Sequence, residues 1–484
     1  MRMFSKSSLK IDKPEYLELF FNVKWSFLGA FFSKAALFLT WIFVARYLGS
    51  ELFGQFGIIR STVLMFTSFA GFSLGITANK FIAEYNNKNP EKNKNIISLS
   101  LFIGFISGLI VSIVFYFSSN WLAVNTLNAP NMAPFLSISS LILLFSSLNG
   151  AQIGILQGFS KYKLIAKINF IQAAICCPLM VVGTIYFGIW GSIITFLFFS
   201  IFISILSFFA LIYILNEKNI KIDFKNAFSE SSLIFTYMLP TVLSGFMVVP
   251  VRWYVNSLLV FNSGFKEMGI FTATLTVHNI VILMSNTLSS PFITIMSKYK
   301  DSKSDIDLFN ILINWLLGFS LTFPFIIFPE IGLFLFGESF HSLQFNHTFV
   351  LVLIFTNILL FKQGLSRIII VNNLQWWSFL SNTLWALSLI FIYKNFSDLN
   401  ALNLANSLLL AYILNVIIML PFFYYKKILP NGLINNIYFY FIWILFFSSS
   451  FVSLLVTSLL TKIFLFFLIF ILVLINFFKI CLKK

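Results

Sequence analysis

Four basic side chains lie inside apolar stretches that are long enough to cross a bilayer: Lys34, Arg60, Arg252 and His278. A charged side chain within the hydrocarbon is costly unless it faces water, a partner or a ligand. Lysine and arginine are the side chains that bind phosphate groups, and arginine does so through two parallel hydrogen bonds. The pattern therefore predicts a cavity inside the membrane that binds an anion, most naturally a phosphate or a diphosphate.

Almost no acidic side chain accompanies these bases. Glu330, which follows Pro329, is the only carboxylate that the hydropathy pattern places inside a span. It falls near the outer end of that span, so an interfacial position is favoured over a role in proton coupling. The excess of positive charge disfavours a cation-coupled drug exporter, which is expected to carry acids within the membrane.

Each basic residue also has a purely structural interpretation. Lys34 can extend its ammonium toward the cytoplasmic interface, and His278 can be a neutral, hydrogen-bonded contact between helices. The two arginines lie deeper, and a binding role is favoured for them. Arg46 and Lys362 lie near predicted span ends, where extension toward the interface is the better interpretation.

Helical periodicity places small and polar residues on the same faces as these bases. One such face carries Thr241, Gly245, Arg252 and Asn256, and a second carries Thr274, His278, Ser285 and Ser289. Asn256 is therefore a further candidate for binding the ligand. Trp253 and Tyr254 flank Arg252 and can stack on a sugar ring, although a packing or interfacial role is favoured for both.

An internal repeat relates the helices that carry these residues. The segment GSELFGQFG resembles SGFKEMGIFT when Gly54 is set on Gly269, a separation of 215 positions. GAQIGILQGFSKYK, which begins at Gly150, aligns with GLSRIIIVNNLQWW, which begins at Gly364, at a separation of 214. Because an even number of spans separates the copies, the two halves are expected to have the same topology.

Composition identifies a polytopic membrane protein. The 484 residues are 59% hydrophobic and 10% charged, and apolar runs of about 20 residues predict fourteen spans. The predicted fold is an all-α polytopic membrane protein with two six-helix lobes, related by a pseudo-two-fold axis along the membrane normal, and two further C-terminal helices. No HExxH, GxSxG, Walker loop or paired carboxylate occurs, so no enzyme activity, metal site or cofactor is expected.

The span pattern divides the chain into five predicted segments. They are a cytoplasmic N-terminal segment (1–24), an N-lobe of spans one to six (25–215), a cytoplasmic linker (216–230), a C-lobe of spans seven to twelve (231–425), and two additional spans with a basic tail (426–484).

Lysine and arginine fall mainly in alternate loops, which predicts the orientation. With the N-terminus inside, the outer loops hold only Arg46, Lys266, Lys394 and Lys462, whereas most of the others, Arg367 among them, fall on the inner side. Cytoplasmic loops retain such residues, so both termini are expected in the cytoplasm. The same distribution accounts for the net charge of +16 without a nucleic-acid partner.

Two segments resemble a known family. ARYLGSELFGQFGI, followed by GFSLGITANKFIAEY, resembles the start of the bacterial polysaccharide transporters, which are the O-antigen and capsule repeat-unit flippases of the multidrug/oligosaccharidyl-lipid/polysaccharide exporter superfamily. ILQGFSKYKLIA resembles a second landmark of that family. The resemblance implies two lobes around a V-shaped cavity, alternating access and cationic cavity positions at Lys34, Arg60 and Arg252. In its predicted number of spans, fourteen, the chain resembles the lipid II flippases of the same superfamily.

The resemblance implies a flippase of the bacterial inner membrane that moves an undecaprenyl-diphosphate-linked oligosaccharide to the periplasmic leaflet. Implied partners are membrane lipids, a coupling ion such as H+ or Na+, and polysaccharide polymerase and chain-length proteins. Three alternatives stay open at this point: a cation-coupled multidrug exporter, a lipid II flippase, and a membrane glycosyltransferase or polymerase.

Overall fold

The computed structural model describes residues 14–70, 74–85, 89–224, 227–231, 243, 245–298, 303–372, 374–426, 429–430, 433, 436–456 and 458–482. Within these ranges the regular elements are all helical, because long apolar runs in a membrane must satisfy their backbone groups internally. The helices are α1 (Pro14–Ala70), α2 (Leu74–Tyr85), α3 (Pro90–Trp121), α4 (Ala133–Gly158), α5 (Tyr162–Glu217), α6 (Val249–Lys298), α7 (Lys303–Ile327), α8 (Glu330–Phe336), α9 (Leu343–Val371), α10 (Gln375–Lys394), α11 (Ala401–Tyr425), α12 (Ile437–Leu455) and α13 (Leu459–Leu482).

Ten of the described helical segments are long and apolar enough to span a membrane. Three of the ten, in α1, α5 and α6, each contain one glycine with a positive φ, at Gly49 (72°), Gly188 (55°) and Gly264 (81°). Each of these three is therefore a hairpin of two spans. Counting each hairpin as two segments and adding α10, whose 20 residues are about 30 Å long, gives fourteen candidate membrane segments in the described chain. The prediction of an all-α polytopic membrane protein is confirmed.

The reversal within α5 is visible in its own contacts. A Cβ built on Gly191 would lie 1.8 Å from the carbonyl oxygen of Gly183, and Thr184 Oγ1 lies 2.9 Å from Ser192 Oγ. Residues on either side of Gly188 therefore face each other, as they do in an antiparallel helical hairpin. In α1 the rings of Trp41 and Phe56 pack 5.3 Å apart across Gly49 in the same way. Phe196 of α5 packs 6.0 Å from the Phe56 ring and joins the two hairpins.

The hairpins of α1 and α6 are related by the sequence repeat. Gly264 lies 215 positions after Gly49, and the two glycines share nearly the same backbone conformation (ψ of −178° and 177°). L-residues with a side chain rarely adopt this conformation, so glycine is required at both turns. The equivalent turns lie against one another in space, since α1 and α6 pack together.

The contact between the two hairpins is reciprocal. A Cβ on Gly54 would lie 1.8 Å from the Phe265 carbonyl oxygen, and a Cβ on Gly269 would lie 1.7 Å from that of Ser50. Phe265 and Gly269 are the repeat equivalents of Ser50 and Gly54, each 215 positions later. The contact of Gly54 with Phe265 is therefore repeated, with the two hairpins exchanged, by the contact of Gly269 with Ser50. Such an exchange is expected when a two-fold axis relates the hairpins.

A short segment after α8 packs near the α1 hairpin tip. A Cβ built on Gly49 would lie 3.7 Å from Ser339 Cβ, one built on Gly337 would lie 3.6 Å from the Arg46 side chain, and the rings of Phe53 and Phe340 pack edge-to-face at 6.3 Å. These residues lie on the tip side of the molecule, which the loop charges predict to be the outer side.

The segment predicted as an inter-lobe linker packs along α3. Lys94 forms an ion pair with Asp223 at 3.0 Å, and Ser98 Oγ accepts a hydrogen bond from the Asp223 amide at 3.0 Å. Phe102 packs 5.3 Å from Phe228, edge-to-face. This part of the connection is therefore attached to the first half of the chain.

The last two helices pack against α7. The rings of Trp315 and Trp443 lie 5.4 Å apart, and those of Phe319 and Phe470 lie 5.8 Å apart. Because aromatic pairs bury large areas, they join α12 and α13 to the second half of the chain.

Candidate functional site

Arg60 is held over an indole ring in the first half of the molecule. It lies in the arm of α1 that follows Gly49, is half-buried, and places its guanidinium carbon 4.1 Å from the centre of the Trp41 ring. Phe56 lies further off, at 6.0 Å. A desolvated contact of this type contributes about 2 kcal/mol and leaves the N–H groups free. No hydrogen bond or ion pair to Arg60 occurs in the described ranges, so its donors are available to an anion.

Arg252 lies in the second half, on the arm of α6 that precedes Gly264, whereas Arg60 lies on the arm of α1 that follows Gly49. Arg252 is half-buried and donates a hydrogen bond of 3.3 Å to the hydroxyl of Tyr412 on α11. Its guanidinium carbon lies 6.0 Å from the Trp385 ring centre. An arginine has five N–H groups, so most of its donors also remain available.

The two arginines lie at the same depth. Arg60 follows Gly49 by 11 positions and Arg252 precedes Gly264 by 12, which places them about 16 and 18 Å from the hairpin tips at 1.5 Å per residue. Because the tips pack together, both arginines lie well inside the apolar layer.

Hydrogen bonds between the halves bring their helices together beside the arginines. Asn256 Nδ2 donates to Ser61 Oγ at 2.9 Å, and Trp253 Nε1 donates to Thr62 Oγ1 at 3.0 Å. Asn256, a predicted site residue, is thus used to join the halves, and it is 7% exposed. Trp253 has the packing role that the sequence favoured.

Lys34 lies in the first arm of α1, 15 positions before Gly49, and is half-buried. It has no hydrogen bond or ion pair within the part of the chain that the structure describes. Its position in the chain places it further from the tips than Arg60. The structure records no direct contact between these two predicted site residues.

His278 takes part in a contact between two helices. It is 1% exposed, its Nδ1 lies 2.8 Å from Thr356 Oγ1, and its ring packs 5.2 Å from Phe355. Both partners are on α9, so this histidine is a buried contact between α6 and α9. These surroundings agree with the interpretation of His278 as a hydrogen-bonded contact between helices.

The rest of the polar face that carries His278 also points at α9. Ser285 and Ser289 bind the guanidinium of Arg367, which donates to the Ser285 carbonyl at 2.9 Å and to Ser289 Oγ at 3.0 Å. Asn310 Oδ1 of α7 accepts a further bond of 2.9 Å. Arg367 is 2% exposed, so its assignment to a cytoplasmic loop was wrong. α9 continues past it to Val371 because neutral oxygens on two neighbouring helices stabilise the buried charge.

Lys362 lies within a helix, as the sequence predicted, but it has a different role from the expected one. It lies inside α9, is half-buried, and donates a hydrogen bond to Asn415 Oδ1 on α11. Its ammonium lies 5.4 Å from the ring centre of Tyr412, the side chain that Arg252 binds. The expected extension toward the interface does not occur, because a polar partner is present within the helix bundle.

The acidic side chain singled out by the sequence is paired. Glu330 Oε1 lies 2.6 Å from Lys462 Nζ, which joins α8 to α13. Arg60, Arg252 and Lys362 have no carboxylate partner in the described segments. No group of three histidine, cysteine, aspartate or glutamate side chains lies together as metal ligands would in those same segments. The positive charges of Arg60, Arg252 and Lys362 are therefore not neutralised by a bonded carboxylate in the described residues.

The comparisons with known structures show the fold. A lipid II flippase, MurJ, in an inward closed conformation is 18% identical and has a TM-score of 0.68 over 93% of this chain and 98% of its own. An inward-facing multidrug resistance transporter of the MATE family and the MOP superfamily is 14% identical, with a TM-score of 0.66 over 80% and 92%. A MOP superfamily transporter from Pyrococcus furiosus is 15% identical, with a TM-score of 0.64 over 82% and 93%.

The sequence comparisons show the family. A membrane protein of Methanocaldococcus jannaschii, described as uncharacterized, is 24% identical over 323 residues, which cover 64% of this chain and 74% of the relative. Residues 19–287, more than half of the chain, match the family described as "Polysaccharide biosynthesis protein". The chain belongs to this polysaccharide biosynthesis protein family.

Proposed function

We propose that the protein is a flippase. It moves a polyprenyl-diphosphate-linked oligosaccharide, an O-antigen or capsule repeat unit, from the cytoplasmic to the periplasmic leaflet of the bacterial inner membrane. The observation that carries the proposal is the pair of arginines, Arg60 and Arg252, at one depth on contacting helices of the two halves. No carboxylate is bonded to either in the described residues, so both guanidinium groups suit a diphosphate.

The surrounding fold supports the same substrate class. One structurally similar protein is described as a lipid II flippase, and the family's description names polysaccharide biosynthesis. In the proposed cycle the diphosphate binds between the two halves, the oligosaccharide crosses with it, and the lipid tail stays in the bilayer. Release on the far side requires the tip contacts of Gly49 and Phe53 with the 337–340 segment to open.

A cation-coupled drug exporter has less support. Glu330 is the acid that the sequence offered for coupling, and its carboxylate is occupied by Lys462. The buried charges near the contact between the halves are positive, which disfavours cationic drugs as cargo.

The test is surface polysaccharide in cells whose own copy of the gene is deleted and replaced by variants. Arg60→Ala and Arg252→Ala each remove charge-assisted hydrogen bonds to phosphate, and we expect a loss of about tenfold or more in substrate affinity. Surface polysaccharide should therefore fall sharply, with lipid-linked repeat units accumulating inside. Lys266→Ala, which removes an exposed charge near the α6 tip, is the matched control and should have no effect.

Protein levels must be equal among these variants. Normal surface polysaccharide in the Arg60→Ala, Arg252→Ala double variant would overturn the proposal. Incorporation of labelled sugar by the purified protein would favour a glycosyltransferase or polymerase in its place.

A further inference from the structure

Lys362 is a second cation on the Arg252 side of the molecule, and its position is tightly defined. It donates to Asn415 Oδ1, and that oxygen also accepts a bond of 3.0 Å from Ser381 Oγ. Asn415 Nδ2 donates to the Ser381 carbonyl at 2.7 Å. The amide of Asn415 is therefore fixed with its oxygen toward Lys362. One of the three N–H groups of the ammonium is used in the described part of the chain, and two are left for a ligand.

Tyr412 links Lys362 to Arg252. The phenol oxygen accepts from Arg252 at 3.3 Å, and the ring centre lies 5.4 Å from the Lys362 ammonium. Phe355 stacks on Tyr412 at 5.7 Å, and Trp385 packs against it at 5.4 Å. Two positive charges thus meet around one buried tyrosine in apolar surroundings, with no bonded carboxylate in the described residues. Like charges so placed are stabilised by an anion that both of them contact.

The first half of the molecule has no equivalent of Lys362. The position 214 residues earlier is Leu148, an apolar residue on α4. The first half therefore offers Arg60 on its indole ring and, further from the hairpin tip, Lys34, whereas the second half offers Arg252 and Lys362 around one tyrosine. A ligand with a single phosphate can engage one half fully, but a diphosphate can engage both.

From this asymmetry we infer that Lys362 is a specificity-determining residue. Together with Arg252 it binds one phosphate of a diphosphate whose other phosphate is bound by Arg60. The protein thereby selects lipid diphosphates over lipid monophosphates. The inference rests on the proposed function and adds to it the residue that distinguishes the two head groups.

The test measures binding of two probe lipids, undecaprenyl diphosphate and undecaprenyl monophosphate, to the full chain in nanodiscs. We expect the unsubstituted protein to bind the diphosphate about tenfold or more tightly than the monophosphate, because the second phosphate adds charge-assisted hydrogen bonds. Lys362→Met should lower that preference by about fivefold or more, mainly by weakening diphosphate binding. Lys362→Arg should keep most of the preference.

Two further variants separate binding from packing. Lys362→Gln keeps a donor for Asn415 without the charge, so it should fold well and still lose the preference. Lys394→Met removes an exposed cation that lies 5.4 Å from the Tyr254 ring, the distance that separates Lys362 from Tyr412, and it should leave the preference unchanged. An unchanged ratio of the two dissociation constants in both Lys362→Met and Lys362→Gln would overturn the inference alone. Failure of the unsubstituted protein to bind either lipid would instead overturn the proposed function.

Discussion

Three cationic side chains within the helix bundle, Arg60, Lys362 and Arg367, differ in what their N–H groups contact. This difference distinguishes side chains suited to binding a ligand from those that stabilise the fold. Arg367 is held by serine and asparagine oxygens on two neighbouring helices. Arg60 has an indole face below it and no hydrogen bond within the described residues. Lys362 lies between these extremes, with one fixed partner. A satisfied buried cation stabilises the fold, whereas a buried cation with free donors is suited to an anionic ligand.

We predict that Arg367→Met destabilises the protein far more than Arg60→Met does. The first substitution leaves buried oxygens on Ser285, Ser289 and Asn310 without a donor, at a cost of about 3 kcal/mol or more in the free energy of unfolding. The second removes one cation–π contact, worth about 2 kcal/mol or less. Denaturation of the purified variants in detergent measures both. Equal losses would contradict the distinction drawn between the two arginines.

Glu330 should prove to be structural. Glu330→Gln leaves the buried Lys462 ammonium without its carboxylate, so we expect a loss of about 1–3 kcal/mol in stability. Transport by the folded protein should persist, since we assign no coupling role to this acid. The Glu330→Gln, Lys462→Met double variant should recover part of the stability, because the unpaired charge is gone. Loss of transport in Glu330→Gln at normal protein levels would restore the cation-coupled exporter as the better hypothesis.

The sequence identified some of the buried basic residues more easily than others. Arg60 and Arg252 were recognisable because a lone arginine about 16 Å from a hairpin tip has few explanations. Arg367 and Lys362 were misread because their partners, such as Asn310 and Asn415, lie on other helices and are invisible to a hydropathy window. His278 could be placed on a polar face, but periodicity does not say whether such a face meets a cavity or another helix.

At the scale of elements, the α1 and α6 hairpins are defined by their glycines. Gly49 and Gly264 make the turns, while Gly54 and Gly269 let the backbones of the two hairpins approach each other. The repeat that the sequence showed at Gly54 and Gly269 carries this contact. The turns themselves could be located from the sequence, whereas the packing of one hairpin on the other could not, because glycine frequency in membrane helices gives no partner.

Gly54→Ala should prevent the hairpins from closing. A Cβ there would lie 1.8 Å from the Phe265 carbonyl oxygen, and overpacking of this kind costs about 1–3 kcal/mol. We expect a strong loss of transport together with separation of the tips. Gly150→Ala is the matched control, since a Cβ on Gly150 meets nothing within 4 Å. Transport by both variants, measured at equal protein levels, checks the prediction, and equal activity would contradict it.

At the scale of the whole molecule, residues far apart in the chain meet on the tip side, where Phe53 packs on Phe340 and Gly49 lies near Ser339. The number of spans and the all-helical architecture followed from apolar runs alone, since a bilayer allows little else. The packing on the tip side could not be predicted from apolar runs, because it joins segments that are nearly 290 positions apart in the sequence.

A reversible cross-link at the tip should stop the transport cycle. A Cβ on Gly49 would lie 3.7 Å from the Ser339 Cβ, and disulfides have Cβ separations of about 3.5–4.5 Å. The Gly49→Cys, Ser339→Cys variant, made without the three native cysteines, carries a side chain at a φ of 72°, so its reduced form should transport less than the unsubstituted protein. Oxidation should abolish this remaining transport, and reduction should restore it. Each single cysteine variant is the control for the strain at Gly49. Undiminished transport after complete cross-linking would show that the tips do not open.

The reciprocal contact of Gly54 and Gly269 has a consequence for the ancestry of the chain. An interface in which each partner presents the same patch to the other is the isologous interface of a symmetric homodimer. Here both patches belong to one polypeptide, 215 positions apart. The geometry is that of a dimer whose two subunits have been fused end to end. The two halves differ in the residues they carry, Arg252 with Lys362 in one and Arg60 with Trp41 in the other, and two identical subunits could not differ in this way.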